Sequence, residues 1–179
     1  MAEQILSHLG SFVAWNIYAL ALIPLAARRP KVARFMLSIL FLGGAPWNLF
    51  ASLTMPSFYV ETYGPLATPP YAAFIYGPFA ANPAVFVVPI AVGELAIGVL
   101  TAAKGAWVRL GMIGVMVFMV GLAPLGVGGA FPFSLWAIVA AYVLFRTRFD
   151  TSLPEDVARA WAVVTPHPSW PRGHAGPRA

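Results

Sequence analysis

The chain has 179 residues, 60% of them apolar, with 11 Lys and Arg against 6 Asp and Glu and a formal net charge of +5. A water-soluble domain carries about a quarter charged residues, so 9% leaves too little polar surface to cover a globule in water. This excludes an ordinary soluble enzyme and a disordered chain. It also excludes a nucleic-acid-binding module, because the basic residues fall between apolar runs rather than along one helix.

Five apolar runs follow in chain order: 5–27, 35–53, 84–103, 110–127 and 131–145. A helix needs about 20 apolar residues to cross the hydrocarbon, and backbone polar groups in lipid must be paired internally. The runs therefore predict an all-α, polytopic membrane helix bundle with five transmembrane helices over residues 1–150. The first run lacks the basic leader of a signal peptide and is expected to be retained.

Arg28, Arg29, Lys31 and Arg34 lie between the first two runs, Lys104 and Arg109 between the third and fourth, and Arg146 and Arg148 after the fifth. Five spans put all three groups on one side. The positive-inside rule makes that side cytoplasmic, with the N-terminus outside and the chain a multi-pass protein of the cell membrane.

Residues 54–83 hold six prolines, four of the six tyrosines (Tyr59, Tyr63, Tyr71 and Tyr76), and Phe58, Phe74 and Phe79. Such a stretch is too aromatic for a solvated linker and too rich in proline for one long helix. Two readings stand: an outer loop lying on the membrane surface, or a cap folded over the bundle. From residue 151 the chain turns polar and proline-rich. The sequence predicts a cytoplasmic tail with a turn or two of helix over 156–164 and disorder beyond, where His167 and His174 lie.

Chemistry-bearing residues are few. There is no cysteine, which removes thiol nucleophiles, Cys-ligated zinc and iron–sulfur clusters within the chain. The histidines, His8, His167 and His174, all lie outside the core, so a Ser–His–acid set, an internal haem and a metal site are not expected.

Glu94 is the one acidic residue inside any of the five runs, near the middle of the third. A charge at that depth costs a few kcal/mol on insertion scales, roughly 2.5–3.5, so the side chain is expected to face the bundle interior or a wet cavity. Its helical face carries Ala91, Gly98 and Thr101. In the second run Arg34, Ser38, Phe41, Ala45, Asn48 and Ser52 follow steps of three and four.

Asn48 and Glu94 are therefore expected to point inward, in a hydrogen-bond network with Asn16 or a loop tyrosine such as Tyr76, and with Trp47 at the mouth. A plainer reading is that Asn48 and Glu94 only bond two helices together. Met112, Met116 and Met119 share one face of the fourth run and suit packing.

The string Gly93-Glu94-Leu95-Ala96-Ile97-Gly98, with Lys104, Gly105 and Arg109 after it, resembles the DoxX-like membrane proteins. Arg34, Phe41-Leu42-Gly43-Gly44, Asn48 and the proline-rich outer loop fit the preceding helix of that family. The likeness covers roughly 32–150. It implies a four-helix core, to which the first helix is an N-terminal addition, in a protein linked to membrane redox metabolism.

The resulting expectation is an accessory or lipophilic-ligand-binding subunit. It has no covalent cofactor, and its ligand is a quinone or lipid. The alternatives are a small proton-coupled transporter subunit and a purely structural subunit. Expected partners are membrane lipids, a membrane or redox subunit, or further copies of the chain, and no nucleic acid.

Overall fold

A computed structural model describes residues 2–164, with side chains from residue 9 onward. The expectations for the His8 side chain and for the chain beyond Val164, His167 and His174 included, lie outside the described residues. Eight α-helices and no strand form among the described residues: α1 Ala2–Arg28, α2 Pro30–Thr54, α3 Ser57–Tyr63, α4 Pro69–Phe74, α5 Pro83–Ala102, α6 Ala106–Leu122, α7 Phe133–Phe145 and α8 Leu153–Val164.

Prolines punctuate them. Pro30 and Pro83 stand in the first turns of α2 and α5, where the missing N–H costs nothing. Pro89 sits inside α5, which runs on through it as one helix.

Four helical stretches are long and apolar enough to cross a membrane: 9–28, 30–54, 83–102 and 106–129, the last counting the 3₁₀ turn that extends α6. The fifth run becomes α7, apolar but only 13 residues, about 20 Å long at 1.5 Å per residue. It is short because Ala123–Gly129 forms that turn and Pro132 sets the helix start.

The long helices form a closed ring: α1 packs on α2, α2 on α5, α5 on α6, α6 on α7, and α7 on α1. The first helix is thus an integral wall of the bundle. Ala19 and Ala26 on α1 and Ala137, Ala140 and Ala141 on α7 are buried, and small side chains let the backbones approach. Phe41, Met112, Met119, Leu22, Leu37 and Leu144 fill the centre.

The polarity of α5 is that of a lipid-facing helix. Its buried residues are Pro83, Val87, Ala91, Glu94, Gly98 and Thr101. Val85, Ile90, Val92, Leu95 and Val99 point outward. A helix in water would show the reverse, with its large apolar side chains against the core. Here the small and polar residues make the helix contact and the large apolar ones are left exposed, which suits contact with acyl chains.

Two ends of the ring are defined by contacts between distant segments. At one end Gly105 N–H donates to Phe149 O at 2.8 Å, and Arg34 reaches Ala103 O and Thr151 O, so the three basic groups share that end. At the other, Thr68 N–H donates to Pro124 O at 2.9 Å and Asn16 Nδ2 to Ala130 O at 3.0 Å. Short as it is, α7 runs from one end to the other.

Residues 54–83 fold into α3, α4 and irregular turns and lie over the ends of α2 and α5. Tyr59, Ile75 and Phe79 form a small core there with Ala51 and Val87. The stretch packs on the helix ends as a cap, and the cleft beside it is open rather than a closed cavity.

Candidate functional site

Where α2 and α5 pack, three polar side chains are linked. Asn48 Nδ2 donates to Glu94 Oε2 at 2.7 Å. Tyr59, from α3 of the cap, places its hydroxyl 3.0 Å from both Asn48 Oδ1 and the Asn48 carbonyl oxygen. Glu94 is 5% exposed and Tyr59 likewise 5%, so the chain of bonds runs from the cap into the interior. Glu94 lies eleven residues from the start of α5 at Pro83, about 16 Å along the helix axis.

Spacing explains the meeting. Asn48 continues the stripe of Arg34, Ser38, Phe41 and Ala45 on α2, all buried. Ser38 Oγ donates to Gly98 O at 3.0 Å, fixing the register of the two helices one turn below Glu94. Gly98 permits this close packing, since a Cβ there would fall 2.7 Å from Leu42 Cγ and 3.1 Å from Leu42 N. A second glycine lets α2 pass close to the carboxyl group: a Cβ on Gly44 would stand 3.3 Å from Glu94 Oε1. Among the described residues no hydrogen bond or cation reaches Oε1; the ion pairs there involve Lys31, Arg34 and Lys104.

Tyr59 is held in an aromatic cluster, edge-on to Phe58 at 5.4 Å and to Phe79 at 6.1 Å, with Tyr63 6.1 Å away. Burial pushes the Tyr59 phenol up to about 12. Burial also raises that of Tyr63. Both phenols stay protonated at physiological pH, and Tyr59 serves as a donor.

The other sequence-predicted residues stand apart. Asn16 donates to Phe12 O and Ala130 O. It cannot join Glu94, because α2 lies between α1 and α5 in the ring. Tyr76 is 56% exposed and lies over Gly64, where a Cβ would come within 2.7 Å of its ring. The network takes Tyr59 in its place. Trp47 is half-exposed, beside Phe50 and edge-on to Phe58 at 6.2 Å. It lies on the outer side of α2, next to Asn48 in sequence and without a bond to Glu94.

A second polar assembly closes the basic end. Arg34 is fully buried. Its Nη2 donates to Asp156 Oδ2 at 3.1 Å, its Nη1 to Thr151 O at 3.0 Å, and its guanidinium stacks 4.4 Å from the Phe149 ring centre. Lys31 Nζ donates to Asp156 Oδ1 at 2.6 Å, and Lys104 pairs with Glu155 at 2.9 Å.

This assembly docks α8, which starts at Leu153 rather than 156 because Ser152 and Glu155 bond reciprocally across its first turn. Burial pushes the Asp156 carboxyl up, but hydrogen bonds from Lys31 and Thr151 and the charges of Lys31 and Arg34 outweigh it and hold it below the ordinary range. The sequence signal for this partnership was slight: an arginine on the buried stripe of α2 and two acids opening the tail helix.

Two open clefts lie away from Glu94. One of about 250 Å³ is lined by Gly105, Arg109, Thr147, Arg148, Phe149 and Asp150. The other, of about 600 Å³, lies between Ser52–Glu61 and Ala80–Ala84 at the cap. Among the described residues no cluster of His, Asp and Glu is arranged to hold a metal.

The architecture defines the class, an all-α helix bundle whose long apolar helices suit contact with membrane lipid. No family model, no curated protein and no solved structure matches the chain. The likeness to the DoxX-like proteins rests on the residues quoted for it, Gly93 to Gly98 with Lys104, Gly105 and Arg109.

Proposed function

We propose that this chain is a DoxX-like integral membrane protein acting as an accessory subunit that binds a lipophilic ligand, a quinone or lipid, in membrane redox metabolism. The observation that carries the reading is the carboxyl group of Glu94. One oxygen is fixed by Asn48, and the other stands beside Gly44 with no hydrogen-bond partner among the described residues. An intramembrane ionisable residue is by default a site for a ligand, ion or proton. The basic end is read as cytoplasmic from its Lys and Arg, the cap as external, and α7 as the fifth span.

The test is native mass spectrometry of the detergent-purified wild type and Glu94→Ala, with an ultraviolet spectrum of each. A co-purifying quinone or lipid that is lost from the variant is the expected result. Equal retention by both proteins refutes the reading. A second reading, a purely structural subunit, is favoured by one observation: neither of the two clefts is lined by Glu94. It predicts that Glu94→Ala lowers stability or assembly with no ligand involved.

A further inference from the structure

The hydrogen-bond polarity around Glu94 narrows the ligand that the proposed reading admits, and the following rests on that reading. The Tyr59 hydroxyl lies 3.0 Å from both oxygen atoms of Asn48, and the Asn48 amide stands with its oxygen toward Tyr59 and its NH₂ toward Glu94. Glu94 Oε2 receives that N–H at 2.7 Å and acts as an acceptor. A proton on this carboxyl group then resides on Oε1, the oxygen beside Gly44. No cation pairs with the group among the described residues, and an unpaired carboxylate at this depth is costly.

We infer that Glu94 presents an O–H donor at Oε1, and that the ligand is a neutral lipophilic molecule offering a carbonyl oxygen, from a quinone ring or an acyl ester. A ligand oxygen must sit about 2.5–3.0 Å from Oε1, and a Cβ on residue 44, 3.3 Å from Oε1, would crowd its approach. Cap, amide and carboxyl thus form one relay of hydrogen bonds, from Tyr59 through Asn48 to Glu94.

The test uses the full chain in detergent micelles and three probes: a decyl-benzoquinone, a fatty-acid methyl ester and decanol. Binding is measured by calorimetry to the wild type, Glu94→Gln, Glu94→Ala and Gly44→Ala. Gln keeps the relay, accepting from Asn48 with its oxygen and donating an N–H where the acid O–H stood.

The expected result is carbonyl-probe affinity within about threefold of wild type for Glu94→Gln, and about tenfold or more weaker for Glu94→Ala. Gly44→Ala should weaken binding while leaving Glu94 bonded to Asn48, and it serves where Glu94→Ala does not fold. Stronger binding of the quinone than of the ester identifies a redox carrier, and the reverse an acyl lipid.

If Gln and Ala at position 94 lose the carbonyl probes alike, Glu94 binds as a carboxylate and the donor inference is overturned, with the ligand-site reading intact. Binding of decanol in place of the carbonyl probes means the opposite amide orientation and also overturns it. If no variant alters any probe, the ligand-site reading itself fails.

Discussion

Replacing Asn48 with Leu removes the amide that joins the cap to α5 while keeping the branching and heavy-atom count of the side chain. Tyr59 keeps one acceptor, the backbone carbonyl oxygen of residue 48 at 3.0 Å. The loss therefore falls on Glu94, whose Oε2 gives up a 2.7 Å bond while only 5% of the residue is exposed. Leaving a buried polar group without its partner costs about 1–3 kcal/mol in water-soluble proteins, and polar contacts between membrane helices average nearer 0.6 with a ceiling near 2.

A loss of about 1–2 kcal/mol is expected for Asn48→Leu, a five- to thirtyfold fall in the folding equilibrium. In Asn48→Leu/Glu94→Leu no polar atom is stranded between α2 and α5, so the double variant should cost less than its two parts together by about 1 kcal/mol. Reversible unfolding in mixed micelles, followed by circular dichroism on all four proteins, gives the coupling. Additivity within about 0.3 kcal/mol would refute the direct bond and with it the relay from the cap.

Two further outcomes are expected. A carboxyl whose folded-state pKa lies below its unfolded value stabilises the fold above the unfolded pKa, and that contribution goes as pH falls through the folded pKa. Asp156 is such a group, so a spin label at Ala162 should stay ordered at pH 6, gain mobility only below about pH 4, and be mobile at neutral pH in Asp156→Asn. Tyr59, raised to about 12, favours the fold while its phenol is protonated; that contribution is complete below about pH 10 and lost as pH rises through the raised value. An absorbance titration at alkaline pH should therefore show Tyr59→Phe lacking amplitude near pH 12 rather than near 10.

Much of the bundle was legible because lipid imposes a simple grammar. Run lengths and the spacing of Arg34, Ser38, Phe41 and Ala45 gave the helices and the inward stripe of α2. The same spacing gave Ala91, Gly98 and Thr101 beside Glu94. The sequence pattern was silent about which distant partners arrive.

Tyr59 and Tyr76 are equally aromatic residues of one loop, and only the fold of that loop decides that Tyr59 drops onto Asn48 while Tyr76 covers Gly64. Asn16 looked as suitable as Asn48, and the order of helices around the ring separates it from Glu94. The last run, 131–145, was already short for a span, and Pro132 and the glycines before it trim the helix further. Asp156 and Glu155 read as tail polarity because their cations lie more than fifty residues away in sequence.

The Arg34 clasp has a consequence for how the protein is made. The guanidinium sits near the start of α2, yet its acceptors, Ala103 O, Thr151 O and Asp156, come 69, 117 and 122 residues later. In the order of synthesis, Ala103 O arrives once α5 is made, but Thr151 O and the Asp156 carboxylate follow only after α7, so the ion pair of the clasp is among the last contacts the chain can form.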